Sequence, residues 1–398
     1  MIKWDRLYSL SSKVVKELEI GRLFKVIDDP DIISFAAGMP DPSLFPVKEV
    51  KESMEEIFSS IDAWKYFQYG ATEGLNLLID FIVQFYKDRE GLDISHEQII
   101  VTAGAQQGMD IVGRLLIDAG DEIVVEAPTY SGAISSFRPY RPVFLTVPME
   151  KDGIDVDYLE KLLLRGRKPK FVYTIPNFQN PSGITMSAEK RSRLVELSHK
   201  YGFSIIEDDP YGELRFRGKR VRSLFSMDSE SGHIIRLGSF SKIFAPGIRI
   251  GWIVVPRDVV EKIIAFKQGM DLSTSALVQA VLHTYLKKVS ISEHIEKITI
   301  RYKRKMSVMK EAIDEYISGV EYVEPEGGMF FWLTIPDIEV RELFDVSIRN
   351  KVAFTPGDGF YPYYGGHDSM RLCFSFPEES DIVEGIKRIG LSVGELRG

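Results

Sequence analysis

Between residues 98 and 255 the chain alternates short apolar runs with stretches of helical period, and that alternation limits its fold more than any other feature. The runs Gln98–Thr102, Glu122–Glu126, Val143–Val147, Phe171–Ile175 and Phe203–Glu207 have the length of strands, as do His233–Leu237 and Ile250–Val255. Helical patterns separate several of them, at Ala105–Ile117, Asp155–Leu164 and Ala188–Tyr201. Strand-length apolar runs interleaved with helices predict βαβ units and a mostly parallel sheet covered on both faces.

The 398 residues are too many for one ordinary domain. Residues 1–45 read as a helix, Lys13–Ile27, followed by a turn-rich link from Gly38 to Pro46. The α/β alternation fills residues 46–275. After about residue 272 a long helical region, Ser275–Ile317, leads into Gly328–Thr334 and then helix, short strand, helix. Residues 276–398 are therefore expected to form a smaller α+β domain.

In open α/β sheets ligands bind beyond the carboxyl ends of the strands. Ala103-Gly-Ala-Gln-Gln-Gly108 follows Ile100-Val-Thr102 and enters a helix, whose first free N–H groups can meet an anion. Ala127-Pro-Thr-Tyr130 follows the next run and offers an aromatic face to a planar ring. Asn180, in Pro176-Asn-Phe-Gln-Asn-Pro-Ser-Gly183, offers a neutral hydrogen bond. Asp208-Asp-Pro-Tyr211 offers a carboxylate for a protonated ring nitrogen.

The stretch Gly238-Ser-Phe-Ser-Lys-Ile-Phe-Ala-Pro-Gly-Ile-Arg249 joins two of the apolar runs and holds Lys242. A lysine whose pKa is lowered toward ~7–8 can form a Schiff base with an aldehyde. Ser239, Ser241 and Arg249 are what a phosphate needs, neutral donors and a cationic fork. Each feature alone also reads as a tight turn, a core tyrosine, a turn asparagine, a solvated acid or a surface lysine. Together they give every polar function one cofactor requires, a phosphate-bearing aldehyde such as pyridoxal phosphate.

The rest of the composition removes other classes. A net charge of −8 lacks the basic footprint of a nucleic-acid binder. The six histidines are scattered, and the one cysteine, Cys373, has no partner, so neither a metal site nor an internal disulfide is expected. The N-terminus lacks the apolar core of a signal peptide, and no apolar run approaches the ~20 residues of a membrane span. A cytoplasmic protein is expected.

These motifs resemble the class I aminotransferases, fold-type I enzymes of pyridoxal phosphate, over residues 34–388. The resemblance is greatest to the kynurenine/2-aminoadipate aminotransferase branch. It implies a large domain with a mostly parallel seven-stranded sheet between helices, a smaller α+β domain, and a homodimer with shared active sites. It implies that Lys242 carries the cofactor, that Asn180 and Tyr211 meet the ring oxygen, that Asp208 pairs with the ring nitrogen and that Tyr130 stacks on the ring. Gly104, Ala105, Gln106, Ser239, Ser241 and Arg249 correspond to the phosphate cup, and Tyr69 to a residue lent by the second subunit. Relatives often have serine where Ala105 stands, so one phosphate hydroxyl is absent here. Arg371, in Met370-Arg-Leu-Cys-Phe-Ser375, matches the clamp on the substrate α-carboxylate, to which Asn180 also belongs, and Gly38 matches a backbone contact near the substrate.

The implied reaction is transfer of an amino group between an amino acid and a 2-oxo acid. Glutamate and 2-oxoglutarate are expected as one pair, with an aminoadipate-like, aromatic or branched apolar amino acid in the other. Arg22, on the N-terminal segment, is a candidate for reaching a distal carboxylate; a solvated surface arginine is the other reading. A lyase or decarboxylase would use the same site with different substrate geometry. The sensor domain of a regulator would need a DNA-binding domain before residue 34, where only a single helix fits.

Overall fold

The computed structural model describes residues 2–15, 29–228 and 231–398. Its strands are β1 (Ile33–Ser34), β2 (Ile99–Thr102), β3 (Glu122–Ala127), β4 (Val143–Glu150), β5 (Gly153–Ile154), β6 (Phe171–Thr174) and β7 (Ser204–Asp208). They continue as β8 (Ile234–Ser239), β9 (Gly251–Val254), β10 (Phe330–Thr334), β11 (Val352–Ala353), β12 (Thr355–Pro356) and β13 (Ser369–Cys373). The main sheet has the order β2-β9-β8-β7-β6-β3-β4-β5. The pairs β3–β4, β3–β6, β6–β7 and β7–β8 are parallel, while β9 runs against both its neighbours. Every residue of β2, β6 and β9 is buried, as a sheet covered on both faces requires.

The expected seven strands are all present. An eighth, β5, extends the sheet because β4 turns back on itself and pairs Met149 with Ile154 and Glu150 with Gly153. Two residues of pairing cannot be seen in a hydrophobic pattern. Ser187 caps the helix Ala188–Tyr201 by accepting from the Lys190 amide, and Gly202 closes it at φ 72°.

One helical expectation needs correction, and another falls mostly outside the described residues. The helix expected over Lys13–Ile27 is described only up to Val15, which is extended and follows the short helix Leu10–Val14 capped by Ser9. Residues 16–28 lie outside the described residues. The helical region 275–317 is two helices, Ala276–Lys288 and Ile291–Tyr316. Val289 is extended between them, and the Ser290 side chain accepts from the Glu293 amide to start the second.

A smaller antiparallel sheet, β10-β13-β12, packs beside the main one. Strand β1 pairs in parallel with β11, Ile33 opposite Val352. That pairing lays residues 35–41 along the smaller sheet, where the Cys373 amide donates to the Phe35 carbonyl at 2.9 Å. Inside the main unit Arg236 of β8 donates to both carboxylate oxygens of Glu90, at 2.9 and 2.7 Å, and to Asp209 at 2.8 Å.

Candidate active site

The carboxyl ends of the parallel strands converge. Tyr130 follows β3, Asn180 follows β6, β7 ends on Asp208 and β8 ends on Ser239. At this edge lies a cavity of about 230 Å³. Gly38, Ala105, Gln106, Tyr130, Asn180, Asp208, Tyr211, Ser239, Ser241, Lys242, Arg249 and Arg371 all line it. Residues scattered over most of the chain length thus meet in one place.

Lys242 sits on the turn that leaves β8, and its Nζ donates to the Gly38 carbonyl at 2.8 Å. Burial lowers its amine pKa to about 8; Arg371 and Arg249 push the same way and Cys373 opposes them. An amine at that value is partly neutral near pH 7 and therefore nucleophilic.

Asp208 is 2% exposed. Its Oδ2 accepts from the Tyr173 hydroxyl at 2.7 Å, and its Oδ1 is buried with no hydrogen-bond partner among the described residues. Burial raises its pKa to about 7, against the Tyr173 hydrogen bond, which lowers it. Asp209 points the other way, toward Arg236 and toward Asn177 Nδ2, which donates at 3.0 Å. Neighbours along a strand face opposite sides of the sheet, which separates the two acids.

Arg371 stands on β13 of the smaller sheet. Its Nη1 donates to Asn180 Oδ1 at 2.9 Å and its Nη2 to the Ala36 carbonyl at 2.7 Å. Its Cζ lies 4.4 Å from the Phe330 ring centroid and 5.0 Å from that of Phe360, a cation between two aromatic faces. Nε is buried and unpartnered among the described residues. Asn180 Nδ2 donates in turn to the Tyr211 hydroxyl at 3.1 Å.

The phosphate-type residues form a separate corner. The helix Ala105–Leu116 opens at Gly104, whose φ is 83°. A Cβ on Gly104 would come 2.5 Å from Arg249 Nη2, so only glycine lets the guanidinium approach this helix end. Ser239 Oγ donates to Ser241 Oγ at 2.9 Å and accepts from the Ser241 amide at 3.1 Å. Gln106 turns its amide toward the Gly132 carbonyl at 3.0 Å.

Among the described residues two expected ones, Gly104 and Tyr69, do not line this cavity, Gly104 standing at the helix end beside Arg249. Tyr69 is 82% exposed on this chain and does not line it. Arg22 lies outside the described residues. The sequence reading also missed several groups. Tyr173 lies inside an apolar run, and only strand pairing reveals that it meets Asp208. Phe330, Phe360 and Thr355 arrive from the smaller sheet and its connections. Glu126 is fully buried, accepting from Gln179 Nε2 at 2.8 Å and from Thr174 Oγ1, and burial raises its pKa to about 7. Its signal was available, since it is an acid that closes an otherwise apolar strand.

These residues suit pyridoxal phosphate. The unpartnered Oδ1 of Asp208 needs a cationic N–H, which a protonated pyridine ring supplies. The helix end beside Ser239, Ser241 and Arg249 suits a phosphate. The depressed amine of Lys242 suits an aldehyde. The unpartnered Nε of Arg371 suits a carboxylate.

The family model "Aminotransferase class I and II" matches residues 30–389. The chain is 39% identical to the aromatic-amino-acid aminotransferase 1 of Thermococcus litoralis, over 99% of this chain and 95% of that protein. The kynurenine aminotransferase of Pyrococcus horikoshii, solved with PMP and with kynurenine as substrate, has a TM-score of 0.94 and 38% identity, covering 100% of this chain and 99% of its own. The α-aminoadipate aminotransferase of Thermus thermophilus, complexed with N-(5'-phosphopyridoxyl)-L-leucine, has a TM-score of 0.93 and 34% identity, covering 100% of this chain and 99% of its own.

Proposed function

The chain belongs to the class I and II aminotransferases, and we propose that it exchanges amino groups between two unlike substrate pairs. One pair is glutamate and 2-oxoglutarate. The other is an aminoadipate-like, aromatic or branched apolar amino acid and its 2-oxo acid. The protein is a fold-type I aminotransferase that uses pyridoxal phosphate. That cofactor supplies, when bound, an aldehyde to take the amino group and a ring to accept the electrons left at Cα.

In this reading Lys242 binds the cofactor's aldehyde and, once released, moves the proton at the substrate Cα. Asp208 holds the ring nitrogen protonated with its free Oδ1. Asn180 and Tyr211 take the ring oxygen, and Tyr130 lies on the ring face. The Gly104-Ala105-Gln106 turn, Ser239, Ser241 and Arg249 take the phosphate. Arg371 clamps the α-carboxylate, which fixes the Cα–H bond against Lys242, and Gly38 lies beside the substrate through its backbone.

The observation that carries the reading is Arg371. It is a buried cation with an unpartnered Nε–H among the described residues, and it lines the same cavity as Lys242. Such a group selects substrates by a carboxylate and leaves the side chain to other contacts. Relatives named for aromatic, kynurenine and aminoadipate substrates support the breadth of the second pair. Arg22 is proposed to reach the distal carboxylate of glutamate or aminoadipate.

A homodimer is proposed as the active unit, each subunit lending Tyr69 to its partner. Tyr69, Ile61, Trp64 and Phe67 are exposed at 82%, 94%, 63% and 66% on the single chain, an apolar surface suited to a second copy. No helix among the described residues is long and apolar enough to cross a membrane, and the cytoplasm is proposed as the location.

The experiment is an absorbance screen of the cofactor-loaded enzyme against a panel of amino acids, following conversion to pyridoxamine phosphate. Glutamate, aminoadipate, and aromatic or branched donors should all convert it. Arg22→Ala should lose roughly tenfold or more in kcat/KM for the acidic donors alone. No conversion by glutamate would overturn the first pair, and an equal loss for all donors would overturn the role of Arg22.

A further inference from the structure

We infer that the buried pair Asp41–Lys305 positions Lys242 and Arg371, by anchoring the segment 35–41 whose carbonyls both residues use. The inference rests on the reading of Lys242 and Arg371 given above. Neither Asp41 nor Lys305 lines the cavity, so they act through that segment and not on the ligand.

The pair is closed to solvent, with side-chain exposures of 1% for Asp41 and 0% for Lys305. Lys305 Nζ donates to Asp41 Oδ2 at 2.6 Å and to the Ser375 carbonyl at 2.9 Å. Arg301 Nε reaches the same Oδ2 at 3.3 Å. The Asp41 amide donates to the Tyr302 hydroxyl at 3.0 Å. Ser375 Oγ donates to the Met39 carbonyl at 2.7 Å. The far end of the segment is therefore gripped by the helix Ile291–Tyr316 on one side and by the chain just past β13 on the other.

The near end meets the site. The Ala36 carbonyl accepts from Arg371 Nη2 at 2.7 Å and from Thr355 Oγ1 at 2.7 Å. The Gly38 carbonyl accepts from Lys242 Nζ at 2.8 Å. One short stretch of backbone thus fixes both cations, and its own position depends on Asp41 and Lys305. A buried ion pair is a poor source of net stability, because desolvation offsets most of the attraction. What it supplies here is direction: a carboxylate held by Ser43, Arg301 and Lys305 has one position.

The test uses Asp41→Asn/Lys305→Met, which removes both charges together. A single Lys305→Met would leave a buried carboxylate without its lysine. The first readout is the pH dependence of Lys242 acylation in the cofactor-free protein, followed by peptide mapping. The groups facing Lys242 are Arg371, Arg249, Cys373, Asp208, Tyr130 and Tyr211, and the variant changes none of them. An ammonium that loses a fixed acceptor releases its proton more easily, so Lys242 should titrate at lower pH than in the parent. The second readout is kcat/KM of the loaded enzyme for amino donors, expected to fall at least tenfold.

A folded double variant with unchanged Lys242 titration and kcat/KM within twofold of the parent overturns the inference. Should the double variant fail to fold, Cys373→Ala serves as the control for the Cys373 Sγ contact at 3.1 Å that Ser375→Ala also removes, and Ser375→Ala carries the test through its grip on Met39. It should move both readouts the same way by a smaller factor, and no movement in either overturns the inference. Lys242→Ala separates this from the underlying reading. If covalent, borohydride-trapped capture of the cofactor persists in Lys242→Ala, the role of Lys242 itself is wrong; if it is lost but the pair variants change nothing, only the anchor is wrong.

Discussion

Arg371 Nη1 donates to Asn180 Oδ1 at 2.9 Å, and this bond joins the smaller sheet to the loop that leaves β6 of the main sheet. The two residues are far apart in sequence and on different sheets, yet each fixes the other's orientation. Asn180 cannot rotate its amide without losing either Arg371 or the Tyr211 hydroxyl.

Arg371→Lys keeps the charge and loses the planar fork. The bonds to Asn180 and Ala36 cannot both survive as a rigid unit. Charge-assisted bonds contribute ~1.5–3 kcal/mol, so kcat/KM should fall roughly tenfold to a hundredfold. The loss should be the same for acidic, aromatic and branched donors, because all share the α-carboxylate. Steady-state kinetics on a donor panel checks this, and a loss confined to one class would contradict the clamp.

Asp208→Asn and Asp209→Asn should separate cleanly. Asp208 faces the cavity with a free oxygen, whereas Asp209 faces Arg236 and Asn177. The first substitution should slow the half-reaction by orders of magnitude with little change in unfolding. The second should lower stability on the order of 1–3 kcal/mol, with a much smaller kinetic effect. Single-turnover absorbance and urea unfolding of both variants decide it, and equal kinetic losses would mean the wrong acid was chosen.

Lys242 should capture the cofactor with a pH dependence that reflects its lowered pKa. Only the neutral amine attacks an aldehyde. Capture by the cofactor-free protein should therefore rise with pH and level off above about 8. Borohydride trapping at a series of pH values, with peptide mapping, measures it. A rate still climbing near 10.5, the ordinary lysine value, would show that the amine is not depressed.

Glu90 provides a pH-dependent stability term. Burial pushes its carboxyl up, but the charge and hydrogen bonds of Arg236, with help from Ser223, hold it down at about 2. A depressed carboxyl stabilises the fold above its unfolded value near 4.5 and loses that contribution as pH falls toward 2. Glu90→Gln should be destabilised on the order of 3 kcal/mol at pH 7. The gap from the parent should shrink between pH 5 and pH 3. Urea unfolding across that range would show a constant gap if Glu90 were not held as an anion.

Lys242→Ala mixed with Tyr69→Phe tests the proposed sharing between subunits. A mixed dimer would have one site carrying both lesions and one carrying neither, so exchange should partly recover activity. No recovery after proven exchange would count against a lent Tyr69.

The strand-and-helix alternation, and with it the parallel sheet, is legible in the order of residues alone. So are the residues at each strand's carboxyl end, because strand period and turn chemistry are local. Tyr130, Asn180, Asp208, Ser239 and Lys242 were legible for that reason. Tertiary structure decided what those residues touch. Tyr173 reaches Asp208 only because β6 pairs with β7, and strand pairing is a nonlocal choice. Phe330 and Phe360 flank Arg371 only because β10 and β12 both pair with β13 within the smaller sheet. The two-residue strand β5 and the break at Ser290 escaped the hydrophobic pattern because neither interrupts it. Asp41 and Lys305 read in sequence as ordinary charges. Their burial against each other is a property of packing, which no local pattern encodes.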